Sequence, residues 1–185
     1  MSEAFGLLAG GDAPVLIVAD HASKHVPADI DLGACPTLLD QHVAIDIGVA
    51  EVAALLVERL GCTAILGGVS RLVIDLNREE DAPCLIPHQS DGRTIPGNAH
   101  ADREARLDRF HRPYHAEVAR LLGAMDRPFI LSLHSFTPSL SSEPDKARPW
   151  EIGILYNDDD RAARIAIPML RETGLVVGDQ LPYSG

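Results

Sequence analysis

Two histidines in this 185-residue chain stand just after apolar runs, His21 after Val15-Leu-Ile-Val-Ala19 and His134 after Phe129-Ile-Leu-Ser-Leu133. A third stretch, Arg71-Leu-Val-Ile-Asp-Leu-Asn-Arg78, alternates like a strand as far as Leu76 and then spills polar side chains. Neutral imidazole is a common ligand of divalent metals, and guanidinium holds carboxylates through a planar fork. Polar residues delivered at the C-terminal ends of buried strands are how an open α/β sheet builds a binding site. The chemistry on offer is therefore metal-assisted hydrolysis beside an anion pocket.

A catalytic zinc site takes three protein ligands and leaves one position for water. For either histidine alone the plainer reading, a strand-end residue bonded to a nearby carbonyl, is equally good; two on separate strands favour a shared ion. Asp46 is the expected third ligand, although an aspartate at a helix start also caps the helix and offsets its dipole. Asp20 precedes His21 and, by strand alternation, is expected to point the other way.

His111 and His115 form a competing pair, since residues at i and i+4 share a helix face. Pro113 lies between them and no glutamate follows His111, as an HExxH site would require. With Tyr114 they are read as support for the metal site or as substrate contacts. Asn77 and Arg78 make a clamp for a substrate carboxylate, and Arg71 is placed to steady an oxyanion. The plainer role for one arginine is an ion pair with Asp75, which closes the strand end.

The elements that must position these residues follow from apolar spacing. Strands are expected over 14–20, 63–66, 72–76, 129–133, 152–156 and 175–177. Helices are expected over 46–60, ended by Gly61, over 101–125 with a break at Pro113, and over 159–173 with Pro168 inside. Asp158-Asp-Asp160 reads as a helix N-terminus. Trp150 and Tyr156 read as packing residues. The segment 79–99, rich in proline and glycine, reads as a long loop, and 137–149 as a mobile flap. Alternating strands and helices predict one α/β domain, a mostly parallel or mixed central sheet with helices on both faces.

Composition narrows the partners. The formal charge of -11 argues against nucleic acid, whose phosphates demand a basic face. No stretch has membrane-spanning length, and no basic N-terminal region precedes an apolar one, so a cytoplasmic setting is expected. Three cysteines without CxxC spacing suggest neither a disulfide framework nor a zinc ribbon.

Several pieces then match a known pattern in order along the chain. They are Asp20-His-Ala-Ser23 with Val26-Pro27, Asp46-Ile-Gly48, Arg71 to Arg78, His111-Arg-Pro-Tyr-His115, Leu133-His-Ser-Phe136, Trp150-Glu-Ile-Gly153 and Pro182-Tyr-Ser-Gly185. Together they resemble the N-formylglutamate amidohydrolase family, whose fold is similar to that of zinc carboxypeptidases and aspartoacylase. The resemblance implies that His21 and His134 ligate zinc, that Asn77 and Arg78 bind the substrate carboxylate, and that Arg71 polarises the scissile carbonyl. Ser135, beside His134, joins His111, Tyr114 and His115 among the expected substrate contacts.

Two departures stand out. Zinc carboxypeptidases carry a ligating glutamate three residues after the first histidine, where this chain has Lys24; Asp46 is expected to replace it. Family members continue past the Pro-Tyr-Ser segment into a strand that suits the catalytic glutamate. A C-terminal portion is therefore expected beyond Gly185, and Glu151 is the candidate base upstream of it.

The expected activity is hydrolysis of a small acidic N-acyl amino acid, N-formyl-L-glutamate first, to formate and glutamate. Zinc is the expected ion, with other transition metals compatible with the same ligands. The competing readings are a binding module for an acidic small molecule that lacks the base, and a metal-dependent amidase or peptidase of other specificity.

Overall fold

Val15–Ala19 is apolar at every position, so a strand formed there must be covered on both faces. In the computed structural model, which describes residues 3–139 and 145–183, this segment is the inner strand β2 of a four-stranded sheet. Its companions are β1 (Phe5–Leu8), β3 (Thr63–Gly67) and, after the short strands β4 (Gln89–Ser90) and β5 (Arg93–Thr94), β6 (Phe129–Ser132). The sheet order is β1-β3-β2-β6; β3, β2 and β6 run parallel, and β1 is antiparallel to β3. The central sheet is thus mixed.

Side-chain alternation on β2 sends Leu16 and Val18 to one face and Ile17 to the other. On the Ile17 face lies helix α1 (Val49–Leu60), through Ala53 and Val57 at helical spacing. On the Leu16 face lies α3 (Arg112–Gly123), through Tyr114, Val118 and Leu121. Helices therefore cover both faces, as the chain's pattern predicts.

The contacts divide the chain into two units, Met1–Phe136 and Thr137–Gly185. In the second, β7 (Ile152–Ile154) pairs in parallel with β8 (Val177–Asp179), and α4 (Arg161–Glu172) packs Ala163 and Ile167 against Val177. Tyr156 packs on that cluster, and its hydroxyl donates to Asp179 Oδ1 at 2.8 Å. Among the described residues no helix is long and apolar enough to cross a membrane.

The structure differs from the sequence-based expectations in several places. The segment 72–76 is not a strand. Leu72, Val73, Ile74 and Leu76 are all buried, so no face alternates outward. A turn begins at Ser70, whose carbonyl accepts from Val73 N at 2.8 Å and whose Oγ accepts from Leu72 N at 3.2 Å. The helix expected from Asp46 begins at Val49, because Gly48 adopts φ 83° and redirects the chain first. β6 is an edge strand rather than a buried one, with Phe129 and Ile130 47% and 49% exposed. The helix over 101–125 is split into α2 (Arg103–Arg106), a π-helical turn over Leu107–His111, and α3, with Pro113 in the first turn of α3. The long loop 79–99 contains the β4–β5 hairpin and the start of the 3-10 turn Pro96–His100. Of the expected flap, residues 140–144 lie outside those described.

Candidate metal centre and its anion-binding rim

Parallel neighbours end on the same side of a sheet, and this brings the two histidines together. β2 and β6 pair with Val18 opposite Ser132, and Leu133 N continues the ladder to Val18 O at 2.8 Å. The next residues of each strand are Asp20 and His21 on one side and His134 on the other. Their rings lie 5.0 Å apart between centroids. β3 must pass close to this turn, and only glycine fits: a Cβ on Gly67 would stand 2.0 Å from Asp20 O.

Asp46 arrives from the connection that precedes α1. Its amide donates to His21 O at 2.9 Å, which pins the aspartate beside the histidine across 25 residues of chain. Its Oδ2 lies 2.9 Å from His134 Nδ1 and 3.6 Å from His21 Nδ1, and accepts from Ser135 N at 3.2 Å. Ser135 thus meets the site through its backbone. Each of His21, Asp46 and His134 offers one ligand atom, all within 4.8 Å of one another. Ligands about 2.1 Å from a tetrahedral ion stand roughly 3.4 Å apart, so these separations suit a single ion.

The tautomer of His21 is set by an aspartate. His21 Nε2 donates to Asp75 Oδ1 at 2.7 Å, and Nδ1 is left buried without a hydrogen-bond partner. A buried nitrogen aimed at a carboxylate with nothing bonded to it is what a metal ligand needs. Two nitrogens and one carboxylate oxygen are also a donor set that zinc accepts.

The electrostatics are those of a tight charge cluster. Burial by itself would raise the Asp46 carboxyl, but the hydrogen bond with His134 and the nearby His21 imidazole outweigh it and hold it well below the usual carboxylate range. The same opposition, with His21 and Arg71 prevailing over burial, holds Asp75 low. For His21, burial would lower the imidazole, yet the neighbouring Asp46 and Asp75 carboxylates leave it raised. A ligand must shed that proton, so metal and proton compete for the same group.

Arg71 Nη2 donates to Asp75 Oδ2 at 2.8 Å, and its Nη1 lies 3.6 Å from Asp46 Oδ1. Arg78 Nε is 3.8 Å from Asp75 Oδ2, with its side chain half exposed. Asn77 N donates to Asp75 Oδ1 at 3.0 Å. Asp75 therefore organises both arginines and the Asn77 turn as well as His21.

The remaining candidates have protein partners. Tyr114 is fully buried and its hydroxyl donates to Asp20 Oδ1 at 2.6 Å. His111 Nε2 bonds to Arg78 O at 2.8 Å and His115 Nε2 to Leu76 O at 3.0 Å. The two rings lie against each other, tilted at 43°, with centroids 4.2 Å apart. Glu151 belongs to the second unit, where its Oε2 accepts from Val176 N at 3.0 Å. Lys24, at the position of the carboxypeptidase glutamate, pairs with Asp40.

Four further residues take part in this network that residue type and spacing do not single out. Asp75 is expected from the sequence only as an arginine partner, and its bond to His21 spans 54 residues of chain. Asp20 does not point away: its Oδ2 is 3.5 Å from His134 Nε2, because β2 ends at Ala19 and alternation lapses there. Asn98 and Arg106, both buried, carried no signal. Asn98 Nδ2 donates to Leu72 O, and Arg106 Nη1 to Val73 O at 2.7 Å.

The sequence pattern of N-formylglutamate amidohydrolase matches residues 13–185. Among solved structures, the chain resembles a gene product of Agrobacterium tumefaciens at 34% identity and a TM-score of 0.89, covering 98% of this chain and 74% of that one. It also resembles N-formylglutamate amidohydrolase from Ralstonia eutropha JMP134 at 22% identity and a TM-score of 0.74, covering 99% and 78% respectively, a likeness of fold. Among curated proteins none matches. With the family pattern running over nearly the whole chain, this protein belongs to the N-formylglutamate amidohydrolase family.

Proposed function

We propose that this protein hydrolyses N-formyl-L-glutamate to formate and L-glutamate, with a zinc ion held by His21, Asp46 and His134. The observation that carries the reading is the buried, unpartnered His21 Nδ1, whose opposite nitrogen is locked by Asp75. When bound, zinc supplies Lewis acidity, making water acidic and a carbonyl electrophilic near neutral pH.

The chain's own residues do the rest. Arg78 and Asn77 anchor the carboxylate of the amino acid, which converts binding at a distance into orientation of the formyl group. Arg78 has the exposure this needs, about half of its side chain. Arg71, steadied by Asp75 and still 28% exposed, presents N–H groups to the oxyanion that forms on the formyl oxygen. A general base takes a proton from water and returns it to the leaving amine.

The deciding experiment measures metal content of the purified chain together with formate release from N-formyl-L-glutamate. Stoichiometric metal with turnover, both lost in His134→Ala, supports the reading. Normal zinc content in His134→Ala overturns the ligand set. Metal without turnover on any of a panel of N-acyl amino acids favours a binding module for acidic small molecules instead.

A further inference from the structure

The turn that carries Asn77 and Arg78 lies outside any strand, so no ladder fixes its backbone. Its carbonyls on either side of Asn77 are held by side chains of one helical segment. His115 Nε2 reaches Leu76 O at 3.0 Å, and His111 Nε2 reaches Arg78 O at 2.8 Å. Carbonyl oxygen can only accept, so each ring must carry its proton on Nε2. Burial pushes His111 below the ordinary imidazole range and keeps it neutral, while its Nδ1 is buried without a hydrogen-bond partner. The two rings, 4.2 Å apart between centroids and tilted at 43°, are in contact.

The spacing explains how one segment grips both points. Residues 111 and 115 are one turn apart on the same face, and the π-helical turn over Leu107–His111 leads straight into α3. Neither Nε2 is left to meet a ligand, so a role as a direct substrate contact would require breaking a bond already made.

We infer that His111 and His115 are positioning residues that hold the Leu76–Arg78 turn by its carbonyls and thereby aim Asn77 and Arg78 at the substrate carboxylate. The inference rests on the reading of Arg78 as the carboxylate clamp, and it deepens that reading by assigning what fixes the clamp. Zinc affinity is expected to be independent of the pair, because neither ring touches His21, Asp46 or His134.

The test uses His115→Phe and His111→Phe, which remove the donor, and His115→Gln and His111→Gln, whose amide nitrogen replaces Nε2–H. Steady-state kinetics on N-formyl-L-glutamate, zinc content, and hydrogen exchange at the Asn77 and Arg78 amides are measured on each. The phenylalanine variants are expected to raise KM by about tenfold to a hundredfold, with a smaller change in kcat. They are also expected to speed exchange at those amides by about tenfold, the equivalent of one carbonyl hydrogen bond. The glutamine variants are expected to restore both. If Arg78→Ala raises KM and the phenylalanine variants do not, the positioning role is overturned while the clamp stands. If Arg78→Ala leaves KM unchanged, the clamp reading fails and this inference falls with it. Unchanged exchange at Asn77 and Arg78 in the phenylalanine variants overturns the structural half whatever the substrate proves to be.

Discussion

Asp75 Oδ1 accepts from His21 Nε2 at 2.7 Å, and its Oδ2 accepts from Arg71 Nη2 at 2.8 Å, so one buried carboxylate orients a candidate metal ligand and a candidate catalytic arginine together. The two residues are 54 positions apart in the chain. Asp75→Asn keeps the shape and removes the charge. It is expected to weaken zinc affinity by about 10- to 100-fold, as loss of a carboxylate behind a metal-bound histidine does. Competition with a chromophoric chelator reads this directly, and an unchanged affinity would separate Asp75 from the metal.

The arginines should divide their effects. Arg78→Ala is expected to raise KM with kcat nearly kept, because it removes an interaction present in ground and transition states alike. Arg71→Ala is expected to lower kcat by about 100-fold, corresponding to roughly 3 kcal/mol of oxyanion stabilisation. Initial rates over a range of N-formyl-L-glutamate concentrations separate the two. Equal loss in both parameters for both variants would contradict the division of roles.

Asn98 sits at the centre of the network that replaces a strand ladder for 72–76. Its Nδ2 donates to Leu72 O and Pro87 O, both at 2.8 Å, and its Oδ1 accepts from Arg106 Nη1 at 2.8 Å. Asn98→Ala leaves two carbonyls and a buried guanidinium short of partners, a cost of about 3 kcal/mol. A fall of about 6–12 °C in Tm is expected for a protein of this size. Thermal unfolding followed by circular dichroism is the check, and a shift below a degree would mean that water replaces the lost bonds.

Tyr114 links stability to alkaline pH. Burial, and then the neighbouring Asp20 carboxylate, push its phenol well above the ordinary range. The folded value is raised, so the phenol's stabilising contribution is complete below about pH 10, where the unfolded chain also keeps its proton. It is lost as pH rises from there towards the folded value, because only the unfolded chain ionises. Tyr114→Phe is expected to cost about 2 kcal/mol at pH 7, with the gap to wild type closing above pH 10. Urea unfolding of both proteins across pH 7 to 11 measures it; a gap independent of pH would contradict the linkage.

Much of the site was legible from local chemistry. Val15–Ala19 has no polar position and so had to be an inner strand, and the residues just past its end had to lie at the sheet's edge. The same logic placed His134 after β6, and the two histidines with Asp46 do converge. The 72–76 segment shows where the logic ends. Alternating polarity suggests a strand, yet the surroundings bury Leu72, Val73, Ile74 and Leu76 together, and side chains from 98, 106 and 115 bond its carbonyls.

Local pattern dictates the set of chemical groups and the strand ends that carry them, since side-chain period and turn chemistry act over a few residues. Which groups meet depends on long-range packing. Asp20 faces His134, Asp75 faces His21, and the His111/His115 pair holds the Asn77–Arg78 turn, across separations of 33 to 114 residues in the chain. Such pairings depend on how strands stack in the sheet and how α3 packs on it, and no local pattern encodes a distance between elements so far apart in sequence.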